Sequence, residues 1–299
     1  MFVCAELDRV GDALHVVLPV IIGADAAYGR EPPRLEEGDM SNLLPTSREQ
    51  PSWESLSGAW QTLSQSCPAC TTNTSGYDFR KGQGTTIPII FLTQLGDPVD
   101  LMTSPGGNAT GLRLLGDTAL VDTQFWLLSK VVPRVSRIGL LQNPLNPNFA
   151  ATLQSALKAA EMNGLVAVPV EACDRREIET AFRTLIRERV QAVKVSASGR
   201  FFLERALIAA VALEHRLPTC FLYREHVEAG GLMSYGESLS DLYRRAATVA
   251  DKLFKGAKPG DLPLDYPRRL HMTINRKTAV ALGLTIPSQT YMLVDEMIE

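Results

Sequence analysis

Residues 137–170 read RIGLLQNPLNPNFAATLQSALKAAEMNGLVAVPV, one strand–helix–strand unit followed by the start of another. Arg137–Leu141 is a short apolar run closed by the turn Asn143-Pro144-Leu145-Asn146-Pro147, the signature of a buried strand. A helix is expected over Ala150–Asn163, with Leu153, Leu157, Ala160 and Met162 as its apolar set and Gly164 just past its end. Val166–Val170 is the next strand. The same alternation continues outward. A helix over Arg176–Arg189 places Ile178, Phe182, Leu185 and Ile186 on one face. Then come a strand at Ala192–Val195, a helix at Phe202–His215, strands at Pro218–Tyr223 and Gly231–Tyr235, and a long helix at Leu239–Phe254. Upstream, Asp122–Val132 is helical with Phe125, Leu128 and Val132 inward, and Ile87–Leu92 is a buried strand. Strands alternating with helices across short turns predict an α/β fold with parallel sheets. Such sheets bind ligands at the carboxyl ends of their strands. Here those ends carry Asn143, Ser196, Ser198, Tyr223, Arg224, Ser234 and Tyr235.

The chain has 299 residues, a length that suits about two domains. Thirty basic against 33 acidic groups leave a net charge of −3, so there is no electrostatic footprint for nucleic acid or an anionic membrane. The charge is unevenly shared. Residues 1–85 hold 6 basic and 11 acidic groups, net −5, whereas residues 86–299 hold 24 and 22, net +2. The early region also lacks the alternation. Residues 30–85 are rich in Pro, Ser, Thr and charges, and they read as loosely attached or poorly ordered. Ala13–Ile22 has the length of a signal-peptide core but follows Glu6, Asp8 and Asp12, and the alternative is a buried strand. Five cysteines are too few and too odd for a disulfide framework. Cys67-Pro68-Ala69-Cys70 lacks the second pair or histidines that zinc would need, so incidental cysteines in a loop are expected.

No nucleophile elbow, phosphate loop, metal-binding helix or dinucleotide fingerprint is present, so no enzyme activity, cofactor or metal is expected. Asp97 lies in a turn after an apolar strand, the place of a site carboxylate or a turn cap. Arg224 beside Tyr223 could clamp a ligand carboxylate, or it could pair on the surface with Glu225 or Glu228. His226 reads as part of a solvated loop, and Arg244-Arg245 as a solvated helix face. Ser238 or Ser240 should cap the long helix.

Eight stretches carry a family resemblance: TTIPIIF (85–91), GDPV (96–99), PGGNATGL (105–112), VSRIGLLQNPLNP (135–147), HRLPT (215–219), YREHVEAGGLMSYG (223–236), FKGAKPGDLPLD (254–265) and INRKTAVALGLTIP (274–287). From about 85 to 299 the chain resembles the ABC-transporter substrate-binding proteins that include tryptophan- and tyrosine-type importers. The resemblance implies two Rossmann-like lobes of the type I periplasmic-binding-protein kind, with a small organic solute, such as an amino acid, held in the cleft between them. It implies delivery to an ABC permease and its ATPase, a periplasmic location and a monomer. Carried over, the ligand-binding residues are Asp97 and Thr110 from the first lobe, and Asn143, Ser196, Tyr223, Arg224 and Ser234 from the second. The division expected is an atypical leader at 1–84, lobe 1 at 85–115 and 237–260, and lobe 2 at 116–236 and 261–299. Two departures stand out: the stretch from Asp97 to Pro105 is shorter than in the family, and residues 1–84 do not resemble it. The completeness of the first lobe is therefore open, and without an export signal the chain would be cytoplasmic. A ligand-sensing module on the same fold, or a non-functional paralogue with a defective first lobe, are the alternatives.

Overall fold

In the computed structural model, residues 109–299 are described apart from Pro147 and Arg268, together with the strand Ile89–Gln94 and four short strands within residues 2–21. Those four are β1 (Phe2–Val3), β2 (Glu6–Val10), β3 (Ala13–Val17) and β4 (Val20–Ile21). They form two antiparallel pairs, β1 with β4 and β2 with β3. Asp97, Cys67, Cys70 and the 30–85 segment lie outside the described residues.

The main body is a seven-stranded sheet. Its strands are β7 (Arg137–Gln142), β8 (Val166–Glu171), β9 (Ala192–Val195), β10 (Thr219–Phe221), β11 (Met233–Gly236), β12 (His271–Asn275) and β13 (Glu296–Ile298). The order across the sheet is β13-β12-β11-β10-β9-β7-β8. Every pairing is parallel except β11 with β12. The α/β architecture expected from the alternation is thus what the chain forms, and it follows from burial on both faces of the sheet. Along β7, Ile138 and Leu140 enter one core cluster while Leu141 enters another; along β9, Ala192 and Val193 divide in the same way. A continuous apolar run is what a two-sided strand requires.

Helices α1 (Asp117–Val131) and α2 (Phe149–Met162) cover one face, and α3 (Arg175–Arg187) and α5 (Arg205–Glu214) the other. Three features of the helices differ from what the pattern predicts. Helix α1 begins at Asp117 rather than 122, because the Asp117 carboxylate is taken up by the sheet. The single helix read at 202–215 is two, α4 (Gly199–Leu203) and α5, joined at Glu204. There the Arg205 guanidinium takes the carbonyl of Phe202 at 2.9 Å, and Glu204 pairs with Arg175 and Arg200. On α2 the buried residues are Thr152, Ala156, Ala159 and Ala160, while Leu157 and Met162 face solvent, Met162 at 68% exposure. Small alanines let that helix lie close on the sheet, so side-chain size overrode hydrophobicity in choosing its inner face. Gly164 does end it, with φ of +67° and the bond from Leu165 N–H to the Ala160 carbonyl.

A second, smaller layer is the parallel pair β5 (Ile89–Gln94) and β6 (Ala109–Leu114). Helix α7 (Leu239–Phe254) packs with it, burying Leu242, Ala246, Val249 and Leu253 against Ile90, Leu112 and Leu114. Ser238 caps α7 by accepting the Asp241 N–H. The chain leaves this layer at 115–116, returns to it at 237–238, and leaves again by Asp265, which is bridged to Leu112 beside β6. Helix α7 also corrects the reading of Arg245 as solvated. Its guanidinium is held between Glu237 and Asp265, the latter at 2.9 Å, one partner on each of the last two passages.

Gly236 ends β11 at the first of those passages. A Cβ there would stand 2.2 Å from the carbonyl oxygen of Leu222, a backbone atom that cannot swing aside. Gly236→Ala is expected to cost about 1–3 kcal/mol, read as a lower urea midpoint with unchanged slope; an unaltered midpoint would contradict the close approach.

Candidate functional site

Strands β8, β7, β9, β10 and β11 stand in the order 2-1-3-4-5 of a doubly wound sheet. After β7 the chain steps outward to β8, then crosses back to the far side of β7 to make β9. The connections therefore diverge between β7 and β9, leaving a crevice at their carboxyl ends, where such sheets take ligands. The residues that follow those two strands are Asn143 and Ser196.

Both are buried, and the loops they begin are tied together. Asn143 donates from Nδ2 to the Ser198 hydroxyl at 2.9 Å, and its Oδ1 accepts the Leu145 N–H at 3.0 Å. Asn146 reaches the same loop, donating to the Ala197 carbonyl at 2.8 Å. The Ser196 N–H donates to Leu141. Two asparagines on one strand end thus hold the 196–198 loop of its neighbour, a use of the Asn-Pro-Leu-Asn turn that turn propensity alone does not suggest.

Beneath this loop lies a buried ion pair. Lys194 projects from β9 on the α1 face, 1% exposed, and its ammonium meets the Asp117 carboxylate at 2.9 Å and the Val195 carbonyl at 2.7 Å. The second Asp117 oxygen accepts the Ala197 N–H. The sequence signal for this is a lysine inside the apolar run Ala-Val-Lys-Val, which demands a counter-charge.

Tyr223 follows β10 and is buried, its ring edge-on to Phe202 at 6.2 Å. Loss of water pushes its phenol well above the usual range, with Asp117, Glu225 and Tyr243 adding to the shift. Asn143, Ser196 and Tyr223 therefore come to one edge of the sheet. The other candidates are placed elsewhere. Thr110 donates from its hydroxyl to the Leu262 carbonyl at 3.2 Å, tying β6 to the 259–265 segment. Ser234 is buried within β11, paired with Phe221 and Thr273 and two residues short of the strand end. Arg224 is held at the surface by Glu228 and by both oxygens of Glu296, the surface alternative. Those bonds, the Glu296 one foremost, raise its guanidinium pKa.

His226 corrects the reading of a solvated loop. It lies on the one-turn helix α6 (Arg224–Glu228), buried and stacked on Phe221 at 4.6 Å. Burial, with the Lys194 and Arg205 charges, holds its imidazole down to about 3. The neighbouring Cys220 thiol is pushed by burial up to about 12, far from a reactive thiolate. Among the described residues no group of His, Cys, Asp and Glu could hold a metal ion, and no helix is long and apolar enough to cross a membrane.

Three comparisons bear on this geometry. A family model described as "ABC transporter substrate binding protein" matches residues 71–298, reaching ahead of the 85 at which the motifs begin. The tyrosine-binding protein of Clostridioides difficile (strain R20291) is 24% identical over 203 residues, 66% of this chain and 57% of that protein. The chain thus spans little more than half the length of that relative. The ABC domain from Streptococcus pneumonia in complex with L-Trp superposes with a TM-score of 0.61 at 25% identity, covering 72% of this chain and 75% of that one. A ligand-free, open substrate-binding protein with adhesive properties from Clostridium difficile gives 0.55 at 22% identity, covering 72% of each.

Two outcomes follow from the buried charges. Asp117→Ala strands the Lys194 ammonium and is expected to cost about 3–5 kcal/mol in urea unfolding, with Lys194→Met added to it restoring part of the loss. His226 stays neutral in the folded protein while the unfolded chain protonates below about 6.5. Stability should therefore fall as pH drops from about 6.5 toward 3, by up to about 1.4 kcal/mol per pH unit for this group. His226→Phe should remove that part of the slope, and an identical pH profile in the variant would refute the assignment.

Proposed function

The chain belongs to the ABC transporter substrate binding protein family, and on that premise we propose that it is the solute-binding component of an ABC importer. The ligand is a small organic solute of the amino-acid class, as the tyrosine- and L-Trp-binding relatives suggest. It would sit between the carboxyl edge of the seven-stranded sheet, as one lobe, and the layer of β5, β6 and α7, as the other. The observation that supports this best is the switch point itself. Asn143 and the 196–198 loop meet across it, with Tyr223 alongside, and the set has polar groups for orientation and a ring for apolar cover. The family is one of solute-binding proteins rather than enzymes.

Binding would bridge the two layers and shift an open–closed equilibrium, flexing the passages near 115, 237 and 265. The closed form would then dock on a permease with its ATPase. In that role the protein works in the periplasm, as a monomer, without nucleic acid.

A thermal-shift screen of amino acids and small carboxylates tests the function. A solute at 100 times its Kd adds about 2.7 kcal/mol, which for a body of this size raises Tm by about 5–10 °C. Asn143→Ala and Tyr223→Phe should each shrink the shift given by the best solute; an undiminished shift in both would remove these residues from the site.

A further inference from the structure

One side chain ties the last two chain passages to each other. Glu237 stands one residue past the end of β11, on the large-sheet side of the passage. Asp265 belongs to the small layer, where its N–H donates to the Gly111 carbonyl at 3.1 Å and its carbonyl accepts the Arg113 N–H at 2.7 Å. Arg245 of α7 holds both carboxylates, that of Glu237 and, at 2.9 Å, that of Asp265. The Arg245 side chain is 13% exposed and that of Glu237 6%. Every other arginine paired with a carboxylate among the described residues is at least 36% exposed. A pair so withdrawn from water is little screened and keeps its geometry. The second Glu237 oxygen, Oε2, is buried without a hydrogen-bond partner.

A further contact crosses the same gap. His271 on β12 is the register partner of Gly236, and its Nε2 lies 3.6 Å from the carboxylate of Asp241. Asp241 stands four residues before Arg245, on the same stripe of α7. Two neighbouring points on the edge of the large sheet thus meet one stripe of the helix that covers the small layer.

Layers that hinge must flex where the chain passes between them. A guanidinium bonded to two passages denies them independent motion, and a preset angle lowers the ordering cost of closing on a solute. We propose that Arg245 is a positioning residue, a clamp that couples the passages at 237 and 265 so that the layers turn about one fixed line. It thereby raises solute affinity without touching the solute. The unspent Glu237 oxygen offers the guanidinium a second acceptor as the angle changes. The effect on affinity rests on the solute-binding function above; the clamp itself does not.

Hydrogen exchange of the solute-free full chain, joined to calorimetric titration with L-tryptophan and L-tyrosine, tests it. Glu237→Gln keeps the side-chain shape and removes one charge. It should speed exchange by about 10-fold in segments 109–114 and 262–266, which hold the other passage, and leave β7 and β9 unchanged. At a temperature where the protein stays folded, it should weaken whichever amino acid the wild type binds by about 5–10-fold. Arg245→Lys keeps the charge but lacks the planar fork, and should show both effects in part, which also serves if Glu237→Gln folds poorly. Arg137→Gln, which breaks the pair with Glu188 at the amino edge of the sheet, should show neither. Faster exchange confined to the neighbourhood of residue 237 overturns the coupling. An affinity unchanged in Glu237→Gln overturns the role in binding, since a merely structural pair would lower the urea midpoint alone. If neither amino acid binds while exchange at 262–266 responds, the clamp stands and the amino-acid reading of the solute falls.

Discussion

An ammonium group in the middle of a sheet has to be neutralised, and the manner of its neutralisation organises this molecule. Lys194 lies between Val193 and Val195 with apolar neighbours on both faces of β9. Its counter-charge, Asp117, is the first residue of α1 and comes directly after the passage from β6. Satisfying one charge thereby fixes where α1 starts, how the chain enters the large sheet, and where the 196–198 loop stands, since Asp117 also holds the Ala197 N–H. Such a pair contributes little net stability over an apolar substitute, yet it is severe to break. Its contribution is to position: loop, helix start and strand end have one mutual arrangement that satisfies both ions.

The strand–helix alternation was legible because the central strands β7 and β9 are buried on both faces and read as short, mostly apolar runs. Leu239–Phe254 emerged with the bounds read from its pattern and its serine cap. The polar strand ends were legible for the same reason, and Asn143, Ser196 and Tyr223 do gather at one edge. What the sequence did not disclose depends on partners distant along the chain. Arg245 looks solvated until Glu237 and Asp265 fold to either side of it. His226 looks like loop until Phe221 and Phe202 enclose it. The inner face of α2 was misjudged because closeness of approach rewards alanine over leucine at Ala156 and Ala159. Asp97 falls outside the described residues, so its place at the site stays a proposal.

The candidate site would join two kinds of recognition. Around the switch point, Asn143, Asn146, Ser198 and backbone groups satisfy one another and form a preset polar rim. Around Tyr223 the groups are less spent, with the buried hydroxyl of Tyr243 left without a hydrogen-bond partner. A rim that is already satisfied orients a ligand at small reorganisation cost. Groups left wanting discriminate, because a ligand that fails to satisfy them leaves the desolvation penalty in place.

The three chain passages have a consequence for how the molecule comes apart. Helix α7 covers β5 and β6 but lies, in the chain, between β11 and β12 of the large sheet. Neither layer is one continuous stretch of polypeptide. A single proteolytic nick cannot release either as a whole, and a fragment stopped at residue 236 would leave Leu112 and Leu114 without the apolar face of α7. The layers are then expected to fold and unfold together, as one cooperative unit, even though the proposed ligand exchange would move them relative to each other.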